Sequence, residues 1–226
     1  MPFSPYRRIT DLPDTIPMFP LSGAILLPRA TLPLNVFEPR YLAMLEYVIS
    51  SNRILGIIQP RTPDDADESP QGDDVPLKNV GCAGRVTGFQ ELDGGRLAIS
   101  VTGVVRFRVS SEHSNAEPFR IFSVNYEEFG NDLIANHGEE MVDRGQLLQV
   151  LKTYLEARNL QADWQAIEAA STELLVNALS TISPFGPEEK QALLEAGSLQ
   201  QRAETLATLA TMELAADYRS GGGSVQ

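Results

Sequence analysis

Proline placement constrains this chain more than any other feature of its sequence. Twelve of the fifteen prolines lie before residue 77, and only Pro184 and Pro187 follow Pro118. A proline has no N–H to donate and holds the preceding residue in extended geometry, so closely spaced prolines exclude a helix. The sequence therefore predicts strands and loops in its first part, and helices only after about residue 130.

The segment 32–36 shows the strand pattern most clearly. Its leucine and valine side chains alternate with Pro33 and Asn35, which is the period of a strand with one buried face. Because Pro33 cannot donate a hydrogen bond to a neighbouring strand, we expect this strand at a sheet edge or at a bulge. A shorter strand is expected just before it, around Ile16 and Met18.

A helix is predicted directly after that strand. Pro39 suits the first turn of a helix, and Glu38 lies near the positive end of the helix dipole. The residues that follow are apolar at helical spacing, and Asn52 marks the expected end. These apolar residues are Tyr41, Leu42, Leu45, Val48 and Ile49.

Four more segments indicate strands before residue 130. They are 54–58, 80–89, 97–109 and 119–129. The segment 91–96 between two of them contains Asp-Gly, which supplies the positive φ angles of a hairpin turn. Gly103 is expected to allow a bend, and Arg106 falls on the polar side of the alternation around it.

The last part of the chain is predicted to be helical. Residues 131–138 are polar and predict a linker, and residues 220–226 form a Gly-rich tail. Four helices are predicted between them, over 139–158, from an Asp163 cap to 179, from Pro187 to Gly197, and from a capping box at Ser198 onward. The fourth carries an apolar stripe made of Leu199, Ala203, Leu206, Leu209 and Leu214.

Composition and charge narrow the partners of the chain. The net charge is −12, with 18 basic against 30 acidic residues, so a phosphate backbone is repelled and nucleic acid is an unlikely partner. No apolar run is near the length that spans a bilayer, which argues against a membrane. The segment 62–76 carries six acidic residues and no basic residue, and it predicts a solvated, mobile loop.

The single cysteine, Cys82, cannot form an internal disulfide. We expect a reducing, cytoplasmic setting, although a cysteine-poor periplasmic protein has the same composition. No apolar stretch follows Arg7 and Arg8, so the N-terminus does not read as a secretory signal.

Six short segments carry a family resemblance through their order and through spacing like that of the family. They are 17–21, 32–41, 80–86, 93–96, 102–109 and 190–195, with Arg202 and Leu206 beyond them. Together they resemble the Lon N-terminal domain, the substrate-recognition module of Lon proteases. The Phe-Glu-Pro-Arg-Tyr sequence of residues 37–41 resembles the stand-alone bacterial and cereblon-like branches of that family more than full-length Lon.

The resemblance covers roughly residues 14–215 and implies an α+β fold. It implies a β-rich, PUA-like pseudo-barrel with one helix, followed by an α-helical bundle. We therefore expect an N-terminal arm at 1–13, the β-rich part at 14–130, the helical part at 131–219 and the tail at 220–226.

Catalysis is not expected. The sequence context of the Ser–Lys peptidase pair of Lon is absent, and no Gly-Lys dipeptide occurs to form a P-loop. His113 and His137 lie in polar stretches and are expected to be solvated, while Cys82 is expected to be a small buried residue. We expect no metal site and no cofactor, because one cysteine and two histidines give no ligand spacing.

The resemblance favours a non-catalytic recognition module for unfolded segments, peptides or a small ligand. The candidate binding residues are Phe19, Leu21, Phe37, Glu38, Arg40 and Tyr41. Most of them serve equally well as core, and Glu38 and Arg40 could pair with each other or cap a helix. A separate protease or chaperone is a further candidate partner.

Two alternatives to this function stay open at this point. The chain could be a scaffold or adaptor whose partner docks on the leucine stripe of the helical part, unless that stripe is an internal packing face. A PUA-like fold also allows RNA binding, for which the sequence offers one basic cluster of Arg85, Arg96, Arg106 and Arg108.

Overall fold

The computed structural model describes residues 6–61, 75–157 and 163–221. The predicted acidic loop lies outside these residues except for its last two positions, as do residues 1–5 of the arm and 222–226 of the tail. The strands are β1 (Thr15–Pro20), β2 (Thr31–Val36), β3 (Ile54–Ile58), β4 (Val80–Leu92), β5 (Arg96–His113) and β6 (Ile121–Asn125). The helices are α1 (Pro39–Ile49), α2 (Arg144–Ala157), α3 (Trp164–Ala169), α4 (Thr172–Ile182), α5 (Pro187–Glu195) and α6 (Leu199–Gly221).

The six strands form one sheet that closes on itself, and the fold is α+β as predicted. The order is β2-β5-β4-β3-β1-β6, and β6 pairs again with β5. Only the β1–β3 pair is parallel. β5 makes the closure possible because it is long: its first half pairs with β2 and its second half with β6. Bulges along β4 and β5 bend these strands around the barrel.

The predicted edge position of Pro33 is confirmed, because β2 pairs on one side with β5 alone. The loop between β1 and β2 is buried rather than solvated, and Ile25, Leu26 and Leu27 are among the most buried residues of the described chain. Gly103 lies at a bulge of β5 and meets this loop. It donates to the carbonyl of Ala30 and accepts from the amide of Arg29, each at 2.9 Å.

The close approach of the loop is what requires glycine at position 103. A Cβ there would lie 2.7 Å from the carbonyl carbon of Leu27 and against its oxygen. Carbon atoms pack best at about 3.5–4.0 Å, so a side chain would force the strand and the loop apart. The hairpin turn between β4 and β5 is confirmed, with Gly94 and Gly95 supplying the positive φ angles.

Three predicted boundaries are wrong. The strand predicted over 119–129 is only Ile121–Asn125, because a 3₁₀ helix begins at Glu127. The helix predicted from 139 begins at Arg144, after a single 3₁₀ turn and an extended Val142. The helix predicted from the Asp163 cap breaks into α3 and α4, because Ala170 is extended and the Ser171 side chain accepts from the Leu174 amide to start a new helix.

The predicted linker 131–138 is packed against both parts of the molecule. The carboxylate of Asp132, with a side chain 11% exposed, accepts from Nε and Nη2 of Arg106 at 2.8 and 2.9 Å. Arg106 also donates to the carbonyls of Leu194 and Ala196 at the end of α5. The prediction that Arg106 lies on a polar outer face is therefore wrong, because the helical part covers that face of β5.

Polar side chains also join the helical part to the buried β1–β2 loop. Arg29 donates to the carboxylate of Glu173 on α4, and the amide of Asn177 donates to the carbonyl of Pro28 at 3.0 Å. The oxygen of Asn177 accepts from buried Arg202 on α6 at 2.8 Å. Because buried polar groups are costly unless they are paired, these bonds fix how the helices sit on the barrel.

Candidate functional site

A cleft with a volume of about 910 Å³ opens at one end of the barrel. Its first wall is the end of β1 and the start of α1, and its second wall is the connection between β5 and β6. All six candidate residues line it, which are Phe19, Leu21, Phe37, Glu38, Arg40 and Tyr41. The structure therefore brings together side chains that are up to 22 positions apart in the sequence.

The start of α1 positions the charged pair of the first wall. Glu38 is the N-cap residue and Pro39 the first helical residue, as the sequence predicted. The Glu38 side chain does not cap the helix backbone; its Oε2 accepts from Nε and Nη2 of Arg40 at 3.0 and 2.9 Å. Of the two roles open to this pair, mutual pairing is the one observed.

The aromatic residues of the first wall have different exposures. Phe19 and Tyr41 are 5% and 8% exposed, and their rings pack with centroids 4.3 Å apart. The guanidinium of Arg40 lies 4.7 Å from the Tyr41 ring centroid and covers that ring. Phe37 is instead 65% exposed. Phe19 and Tyr41 thus form the floor of the cleft, and Phe37 is the aromatic residue available to a bound molecule.

The residues of the second wall were not predicted from the sequence. Arg120 donates through Nε and Nη2 to the two carboxylate oxygens of Glu112, each at 2.7 Å, and through Nη1 to the Val75 carbonyl. Its guanidinium also lies 5.0 Å from the ring centroid of Phe122. Glu117 and the buried Phe119 complete this wall. Two predicted strands flanking a short polar segment signal a hairpin, and that signal could have brought 112 and 120 together.

The bidentate pair on the second wall affects the titration of its acid. The hydrogen bonds from Arg120 hold the pKa of Glu112 below its ordinary value of 4.5, and burial offsets only part of this effect. The ion pair therefore persists through the neutral range and fixes the second wall of the cleft. Both arginines of the cleft, Arg40 and Arg120, form such ion pairs. In each pair the carboxylate side chain is more exposed than the arginine, at 43% for Glu38 and 44% for Glu112.

Groups able to do chemistry are sparse near the cleft. The Nε2 of His113 lies 2.6 Å from the Ser123 hydroxyl, and both His113 and His137 are exposed. Cys82 is fully buried, as predicted, and burial raises the pKa of its thiol far above the ordinary value, so the thiol stays protonated. Within residues 6–61, 75–157 and 163–221, no three His, Cys, Asp or Glu residues converge as a metal site.

The surfaces required by the two alternative functions are largely closed. Arg106 is 5% exposed and Arg108 pairs with Glu128 at 2.7 Å, so the predicted basic cluster does not form an open patch. The leucine stripe of α6 is largely an internal packing face, since Leu206 is 1% exposed. A separate groove of about 510 Å³ runs between α2 and α6.

In the part of the chain that the structure describes, no helix combines the length and the apolar character needed to cross a membrane.

Comparison with known proteins identifies one domain family. The family model described as the ATP-dependent protease La (LON) substrate-binding domain matches residues 15–211. The Lon protease of Dictyoglomus thermophilum is 25% identical over 221 residues, which cover 92% of this chain and 26% of that protein. Lon protease 2 of Sorangium cellulosum is 34% identical over 107 residues, 47% of this chain. Where the match covers most of this chain, the chain thus spans about a quarter of the length of the curated relative.

Two solved structures share the fold. A Lon N-terminal domain protein from Xanthomonas campestris is 21% identical with a TM-score of 0.59, over 86% of this chain and 97% of that one. The N-terminal domain of a Mycobacterium avium complex Lon protease is 15% identical with a TM-score of 0.62, over 87% and 98% of the two chains.

Proposed function

Because the chain belongs to the substrate-binding domain family of Lon, the ATP-dependent protease La, we propose that it is a recognition module for unfolded protein segments. The cleft between the start of α1 and the β5–β6 connection is the proposed binding site. The observation that carries the proposal is that Phe37, 65% exposed, lies in a cleft whose volume is in the range of ligand-binding sites.

Phe37 supplies a large share of the expected binding energy. A phenylalanine presents roughly 200 Å² of apolar surface, so about 130 Å² of Phe37 is open to a bound segment. At about 25 cal/mol per Å², covering that surface contributes at most about 3 kcal/mol. Association and ordering of the segment offset part of this gain, so binding is expected to be reversible and dependent on several contacts.

The paired polar side chains of the cleft prepare the site for binding. Arg40 and Arg120 are each held by a carboxylate and by an aromatic ring. Side chains that are fixed before binding lose little conformational entropy when a segment arrives. The cleft therefore presents a preformed surface with Phe37 at its exposed part.

We propose that binding occurs without cleavage. His113 and Ser123 are close, but among the described residues no carboxylate is found to accept a hydrogen bond from the second ring nitrogen of His113 and so orient it as a base. The family match also covers the substrate-binding domain and not a peptidase. The bound segment would pass to a separate protease or chaperone, and the proposed location is the cytoplasm.

Titration of labelled, unfolded casein with the purified protein tests this function. Fluorescence anisotropy is expected to show saturable binding, and electrophoresis of the same samples is expected to show intact casein. Casein that stays unbound at high protein concentration contradicts recognition of unfolded segments. Casein fragments that appear with wild type but not with His113→Ala contradict the non-catalytic assignment.

An adaptor role is the second candidate, because the groove between α2 and α6 carries two exposed methionines. Met141 is 61% and Met212 63% exposed, and flexible methionine side chains suit protein-binding surfaces. A partner retained by wild type and released by Met212→Asp supports this role. Equal retention by both proteins contradicts it.

A further inference from the structure

We infer that the cleft selects unfolded segments in which an aromatic or aliphatic residue stands next to lysine or arginine. This inference rests on the proposed function and concerns which segments the same site prefers. It follows from the charges and the aromatic surface that the cleft leaves open to a ligand.

The cations of the cleft are already engaged, whereas its carboxylates keep acceptor capacity. Arg40 donates through Nε and Nη2 to Oε2 of Glu38, and among the described residues no donor to Oε1 of that carboxylate is found. Arg120 donates to both carboxylate oxygens of Glu112 and to the Val75 carbonyl, and its guanidinium faces the Phe122 ring. A carboxylate accepts about four hydrogen bonds, so Glu38 and Glu112 can each receive more donors from a ligand.

Glu117 adds an uncompensated negative charge to the second wall. It is exposed and lines the cleft, and no described lysine or arginine forms an ion pair with it. The cleft therefore carries three carboxylates against two guanidinium groups. With a net charge of −12 on the whole chain, the potential at the cleft attracts cations and repels anions.

The exposed ring of Phe37 lies directly before Glu38 in the chain. An aromatic face attracts an ammonium or guanidinium group, and a neighbouring carboxylate attracts the same group. The apolar surface that the cleft leaves open belongs to Phe37 and to the half-buried Leu21, and an aromatic or aliphatic side chain can pack against it. A segment with both residue types therefore matches the cleft better than a segment that is only apolar.

Three labelled peptides test the inference. They share one apolar and aromatic sequence and differ only at a few interspersed positions, which are all lysine, all glutamine or all glutamate. Exposed charge contacts change affinity by about 1.4- to 5-fold each, so the lysine peptide is expected to bind several-fold tighter than the glutamate peptide. Raising the salt concentration is expected to reduce this ratio.

Glu117→Lys is the diagnostic variant, since Glu117 is exposed and outside the buried contacts. It is expected to lower the lysine-to-glutamate preference several-fold, whereas Glu156→Gln, an exposed change on α2 away from the cleft, is expected to leave it unchanged. Binding of all three peptides with equal affinity, or a preference that Glu117→Lys does not alter, overturns the charge selection and leaves the proposed function intact. Failure of every peptide and of casein to bind contradicts the proposed function itself.

Discussion

Replacement of Gly103 by alanine is expected to destabilise the protein strongly. The new Cβ would lie 2.7 Å from the carbonyl carbon of Leu27, about 1 Å inside a comfortable carbon–carbon contact. The neighbour is backbone and cannot rotate away, so β5 and the β1–β2 loop must separate. Separation strains the two hydrogen bonds that Gly103 makes to Arg29 and Ala30.

The magnitude follows from these two effects. Overpacking a filled site costs about 1–3 kcal/mol, and each weakened hydrogen bond adds about 0.5–1.5 kcal/mol. Gly103→Ala is therefore expected to lower the free energy of unfolding by about 2–6 kcal/mol, a large part of the usual 5–15 kcal/mol. Urea denaturation followed by circular dichroism measures this difference.

Gly88→Ala is the matched control on the neighbouring strand. A Cβ on Gly88 meets only the Ser100 side chain, at 3.8 Å, which is an ordinary contact. This change is expected to stay within about 0.5 kcal/mol of wild type or to stabilise slightly, because alanine restricts the unfolded chain. Equal urea midpoints for the two variants would refute the close-approach argument.

Three further changes test the polar contacts. Asp132→Ala leaves buried Arg106 without its carboxylate and is expected to lower the free energy of unfolding by about 3–5 kcal/mol in urea denaturation. The double variant Asp132→Leu with Arg106→Met removes both charges and is expected to restore much of that stability. A double variant as unstable as Asp132→Ala would contradict this reasoning. The pKa of Glu112 is lowered in the folded state, so its carboxylate stabilises the protein above pH 4.5 and this stabilisation is lost as the pH falls further. The difference in melting temperature between wild type and Glu112→Gln is therefore expected to narrow below pH 4.5. A difference that stays constant with pH would contradict the pairing with Arg120. Lys190→Met removes the ammonium that binds the last carbonyls of α4 and is expected to cost about 1–3 kcal/mol, and an unchanged urea midpoint contradicts that role.

Local signals in the sequence were sufficient for much of the fold. Pro39 and Ser198 start helices, and the glycines after Asp93 turn a hairpin, because each effect depends on a few adjacent residues. The candidate residues of the first cleft wall also come from one continuous region, around β1 and α1. These residues could be predicted together because they lie close to one another in the sequence.

Non-local packing explains what the sequence did not reveal. Arg106 alternates correctly for an outward residue, yet helices cover that face of β5, and only the tertiary structure supplies Asp132 as its partner. Ser171 is of a residue type that caps helices, but the apolar residues at helical spacing on both sides of it concealed the break between α3 and α4. The second cleft wall was missed for a different, local reason: the strand was predicted to end at 109, so Glu112 was not placed on β5, where it meets Arg120 across the connection to β6.

Comparison of Phe37→Ala with Phe89→Ala tests the central claim most directly. Both rings are exposed, at 65% and 54%, but only Phe37 lines the proposed binding cleft. In anisotropy titrations with unfolded casein, Phe37→Ala is expected to weaken binding about tenfold or more, while Phe89→Ala binds like wild type. Equal affinities for the two variants, with both proteins folded by circular dichroism, would contradict the assignment of this cleft as the recognition site.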